Sequence, residues 1–217
     1  MLEREETVLL KKEFEITKLE TQKRNNNRIS VYINNKYAFG VHKDIIYKLN
    51  LEKGKLVDQN FIEKIIKTEE QKKAKDYAIK ILSYRPRSQK EIKDKLEQKG
   101  YENQVVNRTL AWLREYKLID DKEFAKEYIK SKGEKYGGSR IKIELIRKGV
   151  EEEIIDSVLN DKLNDEKEYE IALEQAKKKM KAYKGDEREA VYRKLGYYLQ
   201  RRGFSYDIIS KILRELL

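Results

Sequence analysis

Few residues in this chain have the type and spacing that chemistry requires. A nucleotide-hydrolysing loop needs G-x-x-x-x-G-K-[ST], whose glycines let backbone amides cradle phosphate while the lysine reaches its oxygens. The nearest approach, Gly133-Glu134-Lys135-Tyr136-Gly137-Gly138-Ser139, has no lysine in the required place. A nucleophilic triad needs a base. The one histidine, His42, sits at the edge of a strand pattern with no activated serine near it, and reads as a helix-start or surface residue. With no cysteine, neither disulfides nor thiolate zinc sites are possible. The many carboxylates alternate with lysines at helical spacing, as solvated i,i+4 pairs do, rather than forming a catalytic dyad or an oxygen-ligand metal cluster. The chain reads as a non-enzyme that needs no cofactor and no metal.

What recurs instead is positive charge. The 217 residues carry a net charge of +11. Residues 1–70 hold 14 basic and 12 acidic groups, and the remaining 147 hold 36 and 27. Such a surplus attracts polyanions, nucleic acid first among them, although lysine-rich helices with interleaved glutamates are also simply soluble. No apolar run approaches the roughly 18 residues needed to cross a bilayer, and the start of the chain is not a signal peptide. The expectation is a cytoplasmic protein without a membrane partner.

The elements that must position this charge follow from an internal repeat. Lys/Arg-Gly-apolar occurs three times, at Lys99-Gly100-Tyr101, Lys148-Gly149-Val150 and Arg202-Gly203-Phe204. Four residues before each glycine stand Leu96, Leu145 and Leu199; eight before stand Ile92, Ile141 and Leu195. Five and six after come Val105-Val106, Ile154-Ile155 and Ile208-Ile209, and ten after come Leu110, Leu159 and Leu213. The first set makes one buried stripe on a helix closed by the glycine, and the second begins a stripe on the next helix. Further helical stretches lie upstream at 74–83, 123–132 and 167–182. Capping-box patterns mark starts at Ser88-x-x-Glu91, Asp120-x-x-Glu123 and Asp186-x-x-Glu189. Each unit is thus a three-helix repeat of about 50 residues sharing a core with its neighbours.

The N-terminal part reads differently. Phe14–Leu19, Arg28–Ile33 and Tyr37–Val41 alternate as strands, with Asn25-Asn26-Asn27 as a loose first turn and Asn34-Asn35 as a tight second one. A short helix over His42–Leu49, a turn at Lys53-Gly54 and a long helix from about Asp58 follow. The expected fold class is mainly α. Three tandem three-helix repeats form an elongated, curved stack behind a small region with a three-stranded meander and a short helix. The domain boundaries are 1–69, 70–119, 120–164 and 165–217.

Recurrence and expected exposure select a partner-binding face. In the first repeat it contains Arg85 and Arg87, in the loop Tyr84-Arg85-Pro86-Arg87-Ser88, and Lys90. The second supplies Tyr136, Arg140, Lys142, Arg147 and Lys148, and the third Arg193, Lys194, Arg201 and Arg202. Arginine's planar fork suits carboxylate and phosphate alike, so the face fits nucleic acid or an acidic protein groove. Trp112, Tyr116, Phe124 and Tyr128 read as core, and Tyr84 and Tyr136 as loop aromatics able to meet a partner.

Two ordered motifs carry a resemblance. Leu118-Ile119-Asp120-Asp121-x-x-Phe124-Ala125-x-x-Tyr128, followed by Tyr136-Gly137-Gly138-Ser139-Arg140-Ile141-x-x-Glu144-Leu145-x-x-Lys148-Gly149-Val150, resembles the signature stretch of RecX proteins. Leu82-Ser83-Tyr84-Arg85-Pro86-Arg87-Ser88 with Glu91-Ile92-x-x-x-Leu96-x-x-Lys99-Gly100-Tyr101 adds a second match, and Leu199-x-x-Arg202-Gly203-Phe204 completes the tandem plan. The resemblance covers residues 70–217 well and residues 1–69 more loosely. It implies a modulator of RecA that lies in the groove of the RecA–single-stranded DNA filament and most often inhibits it. The chain would then act as a monomer with weak direct contact to single-stranded DNA. The alternatives are a stand-alone DNA-binding protein, since two helices joined by a glycine turn resemble a helix-turn-helix, and a scaffold for an acidic protein.

Overall fold

The computed structural model describes residues 13–217. Those residues divide into two compact units that meet in sequence between Tyr77 and Ala78.

The first unit is built on alternation. Strands β1 (Phe14–Gln22), β2 (Asn25–Ile33) and β3 (Lys36–His42) form an antiparallel meander. A short fourth strand, β4 (Leu56–Val57), pairs with β1, so the sheet order is β3-β2-β1-β4. Each of the three long strands buries one residue completely, and these, Ile16, Val31 and Val41, meet Ile45 of helix α1 (Lys43–Lys48) and Ile65 of helix α2 (Gln59–Leu82) in one core. The second hairpin turns at Asn34 and Asn35, with φ of 47° and 64°, conformations that asparagine tolerates better than most residues. The first hairpin does not turn at Asn25–Asn27. The ladder runs on to pair Gln22 with Asn25, which leaves only Lys23 and Arg24 to reverse the chain and puts the asparagines inside β2. His42 is indeed a helix start, its Nδ1 accepting from Asp44 N at the head of α1.

Charge is taken inside this unit once. Glu69 of α2 is 5% exposed, and its carboxylate accepts from Arg28 Nη1 at 2.7 Å and from the His42 backbone N at 2.8 Å. Burial alone would raise this carboxyl, but these donors and the charges of Arg28 and Lys73 outweigh it and hold it below the usual range. The pairing fixes α2 on the edge of β3 and on β2.

The second unit contains α3 (Gln89–Gln98), α4 (Asn103–Glu115), α5 (Asp121–Lys132), α6 (Gly138–Arg147), α7 (Glu152–Lys162), α8 (Asp165–Met180), a 3₁₀ turn (Lys181–Tyr183), α9 (Arg188–Arg201) and α10 (Tyr206–Leu216). The stripes fall where the repeat puts them: Ile92, Leu96, Ile141, Leu145, Leu195 and Leu199 are all fully buried. Each such side chain contributes about 1.5–3 kcal/mol of burial. The three repeat glycines close α3, α6 and α9 with φ of 89°, 78° and 84°. After each, the apolar residue bonds back to the buried leucine, as in Tyr101 N to Leu96 O at 3.2 Å and Val150 N to Leu145 O at 3.2 Å.

The helix starts follow the caps in two cases of three. Ser88 forms a full capping box with Glu91, and Asp120 accepts from the amides of Lys122 and Glu123. Asp186 does not cap α9. The N-cap is Glu187, without a side-chain bond, while Asp186 is drawn to Lys194 Nζ at 2.8 Å. Tyr116 is a second departure. It follows the end of α4 at its C-cap, where the chain turns through Lys117 at φ 52°, and it lies outside the core beside a half-buried Trp112.

Candidate partner-binding surface

Four of the recurrent basic residues, Arg85, Arg140, Lys148 and Arg202, hold the repeats together. Between the first and second repeats, the cap of α3 docks on the glycine turn that ends α6. Ser88 Oγ donates to Lys148 O at 2.5 Å, and a Cβ on Gly149 would collide with the Lys90 side chain. Gln89 N donates to Asp121 Oδ1 at 2.8 Å. Glu91 is gripped from both sides, by Arg85 at 2.8 Å and by Lys148 at 3.2 Å. Burial pushes the Glu91 carboxyl up, but hydrogen bonds from Arg85 and Lys148, and their charges, outweigh it and hold it down at about 2.

The joint between the second and third repeats has the same plan. The cap of α6, Gly137, donates from its backbone N to Arg202 O at 2.9 Å, and a Cβ on Gly203 would collide with the backbone of Arg140. Gly138 N donates to Glu168 Oε1 at 3.1 Å, as Gln89 does to Asp121. Both acceptors are pushed above their ordinary range by burial, which the single amide donor only partly offsets. The Tyr136 ring lies 4.1 Å from the Arg140 guanidinium and 5.5 Å from that of Arg202. Arg140 also donates to Arg201 O at 3.0 Å and Arg202 to Lys135 O at 2.8 Å.

The twelve residues expected to face a partner therefore separate. Arg85, Tyr136, Arg140, Lys148 and Arg202 are held in joints. Arg87 closes the end of α2 through Ile81 O at 3.2 Å. Lys90, Lys142 and Lys194 are ion-paired with Asp94, Asp156 and Asp186. Arg147, Arg193 and Arg201 remain exposed, their guanidinium groups bonded to nothing among the described residues.

Those three lie on the outward faces of α6 and α9, where the repeats diverge. On α3 the outward positions are Lys90, Lys93, Asp94 and Glu97, closed into the pairs Lys90–Asp94 and Lys93–Glu97. On α6 the equivalent face carries exposed Ile143 and Ile146 beside Arg147; on α9 it carries Arg193, Tyr197 and Arg201. Helical spacing puts these residues opposite the buried stripe. Arg147, Arg193 and Arg201 are among the residues expected from recurrence; Ile143, Ile146 and Tyr197 are not, although their apolar character outside the buried register marks them in the sequence. Loop residue Tyr84 is also fully at the surface, at 72% exposure. Among the described residues no three His, Asp or Glu side chains converge as a metal site requires, and no helix is long and apolar enough to cross a membrane.

Comparison with known proteins accounts for the whole plan. Residues 14–58 match the family model "Regulatory protein RecX N-terminal domain". Residues 74–113, 120–159 and 165–213 match "RecX, first three-helix domain" and its second and third counterparts. The chain belongs to the RecX family. The "Regulatory protein RecX" of Clostridium perfringens (strain SM101 / Type A) is 36% identical over 203 residues, 93% of this chain and 95% of that one. That of Clostridioides difficile (strain 630) is 33% identical over 204 residues, covering 93% and 95%. A crystal structure of regulatory protein RecX superposes with a TM-score of 0.75 at 29% identity, over 92% of this chain and 98% of that chain. One of RecX from Lactobacillus salivarius gives 0.63 at 29% identity, over 69% and 97%. The relatives are named as regulatory proteins, and the RecX repeat plan extends through the described helical unit of this chain.

Proposed function

We propose that this chain regulates a RecA-type recombinase: it binds the RecA–single-stranded DNA filament and inhibits its assembly, its ATP hydrolysis and strand exchange during recombination and DNA repair. The observation that carries this reading is the match of all four RecX domains in order along the chain. The surface agrees with it. Unpaired Arg147 and Arg201, with Ile143, Ile146 and Tyr197 beside them, combine cationic and apolar groups as protein-binding patches do. Two repeats that each offer one modest patch, on α6 and α9, bind a repeating filament through more than one contact at once, which raises avidity without any single strong site. The mode of action is occupancy and charge: the chain makes and breaks no covalent bond, and it works as a monomer in the cytoplasm.

The test is single-stranded-DNA-dependent ATP hydrolysis by the RecA of the same organism, with this chain added far below one copy per RecA. Loss of hydrolysis at those ratios is expected; no effect at equal ratios, with no co-sedimentation, refutes the reading. Reversing Arg147 and Arg201 together to Glu should raise the inhibiting concentration by about tenfold or more, on the scale of two lost charge contacts. The same change at Lys178 and Lys179 should do little, and equal losses would remove the outward face of α6 and α9 from the interface.

A further inference from the structure

The third repeat carries a groove that the joints do not use. It runs along α9 and α10, has a volume of about 530 Å³ and is reached at one end by Ser139 of the second repeat. That size falls within the roughly 300–1,000 Å³ of small-molecule sites. Its walls bear three tyrosines that are 49%, 65% and 82% exposed: Tyr192, Tyr197 and Tyr206. A folded chain leaves so many rings in solvent at one place only when nothing in the fold covers them. Gly196 sits on the floor, in the middle of a 14-residue helix, where glycine costs about 1 kcal/mol relative to alanine. A methyl group there would meet only Leu213 Cδ1, at 3.4 Å, so the missing side chain chiefly keeps the groove open.

The charge of the groove selects its occupant. No carboxylate lines it, and its one charged residue, Arg193, makes no ion pair or hydrogen bond among the described residues. Exposed Arg201 lies two turns further along α9. Flat aromatic faces next to unneutralised guanidinium groups are the combination that binds unpaired nucleobases by stacking and the adjoining phosphates by charge. We propose that this groove is a subsite for single-stranded nucleic acid, in which bases stack on Tyr197 and Tyr206 and Arg193 takes a phosphate. Duplex DNA, whose bases are already stacked, does not fill it. The inference deepens the proposed function by placing the strand contact on the third repeat, but it does not depend on a recombinase.

The experiment is fluorescence anisotropy of the full chain with a labelled oligothymidylate, in low salt and without any recombinase. The double variant Tyr197→Ala/Tyr206→Ala should lose about 100-fold in affinity, about tenfold per ring. Tyr197→Phe/Tyr206→Phe, which keeps the rings, should stay within about twofold. Arg193→Gln should reduce the slope of log affinity against log salt by about 0.7. All these side chains are exposed, and circular dichroism of each variant is the check that it is folded. The proposal is overturned if the unaltered chain does not bind the oligomer, if the alanine pair binds as well as the unaltered chain, or if the phenylalanine pair loses as much as the alanine pair. An equal loss on duplex of the same length also overturns it. So does light scattering that finds a dimer converted to monomer by the alanine pair, since the groove would then be a contact between copies. Failure here leaves the ATPase result standing, and failure of that assay leaves this one standing.

Discussion

The two joints of the helical unit solve one packing problem with different chemistry. In both, the start of a repeat's middle helix seats on the glycine turn of the following repeat, and an acidic side chain from that repeat accepts from the amide after the cap. The first joint is fastened by side chains: the Ser88 hydroxyl on Lys148 O, and Glu91 between Arg85 and Lys148. The second is fastened by backbone, Gly137 N on Arg202 O, and by the Tyr136 ring beside two guanidinium groups. Glycine is what the joints share, because the start of the packed helix approaches the turn closely, through the Lys90 side chain at the first joint and the Arg140 backbone at the second. The fasteners around it are free to change.

Substituting the glycines should break that comparison most severely. At Gly100 a Cβ meets nothing, so Gly100→Ala should cost only the positive φ, about 1 kcal/mol. Gly149→Ala also collides with Lys90 from its Cβ outward, so the start of α3 must shift, and should cost about 2 kcal/mol. Gly203→Ala drives into the backbone of Arg140, which cannot swing aside, and should cost about 3 kcal/mol or more. Urea unfolding of the three variants checks the order.

Acid should separate the joints next. The Glu91 carboxyl titrates near 2 in the folded chain, against about 4.3 when unfolded. Its contribution is complete above pH about 4.5 and is lost as pH falls toward 2, on the order of 2 kcal/mol. Asp121 and Glu168 shift the other way, so their protonation recovers some stability at higher pH. That gain comes as pH falls from their raised folded values to the unfolded ones of about 3.9 and 4.3, before most of the Glu91 contribution is lost. In Glu91→Gln, urea midpoints at pH 6 and pH 2.5 should therefore lie closer together than in the unaltered chain. A gap of the same size would show that Glu91 does not grip the first joint.

Smaller effects sharpen the contrast. Ser88→Ala removes a cap and a bond to Lys148 O and should cost about 1–2 kcal/mol in thermal unfolding. Tyr136→Leu keeps apolar bulk but loses the contacts with Arg140 and Arg202, and should cost about 1 kcal/mol. High salt should weaken the chain with Tyr136→Leu and the unaltered chain alike, because the backbone bond of Gly137 is unaffected.

Legibility in the sequence followed the same division. Burial has a period, so the stripes at Ile92, Leu96, Ile141, Leu145, Leu195 and Leu199 could be read directly. Positive φ has a residue type, so the asparagine turn and the three glycine turns could be read as well. Side-chain partners have neither. Arg140 and Arg202 have the charge of surface residues, yet they bond to carbonyls that are 61 and 67 residues away. Tyr116 shares a helical face with Trp112 but stands where the helix ends, and so escapes the core. Asp186 had the right spacing for a cap and found a lysine instead. On the exposed face of α6 and α9 the arginines Arg147, Arg193 and Arg201 were legible by their recurrence, whereas Ile143, Ile146 and Tyr197 were not, because they do not recur.

Because each joint couples only adjacent repeats, the helical unit should behave as a short chain of linked melting units, like other repeat arrays. The second repeat is clamped on both sides and the third on one. Opening α6 locally means undoing two interfaces, whereas opening α10 undoes none of the bonds that fasten them. Amide hydrogens of α6 should consequently exchange with solvent most slowly and those of α10 sooner, so that the end bearing the tyrosine groove is also the end most able to yield to what it binds.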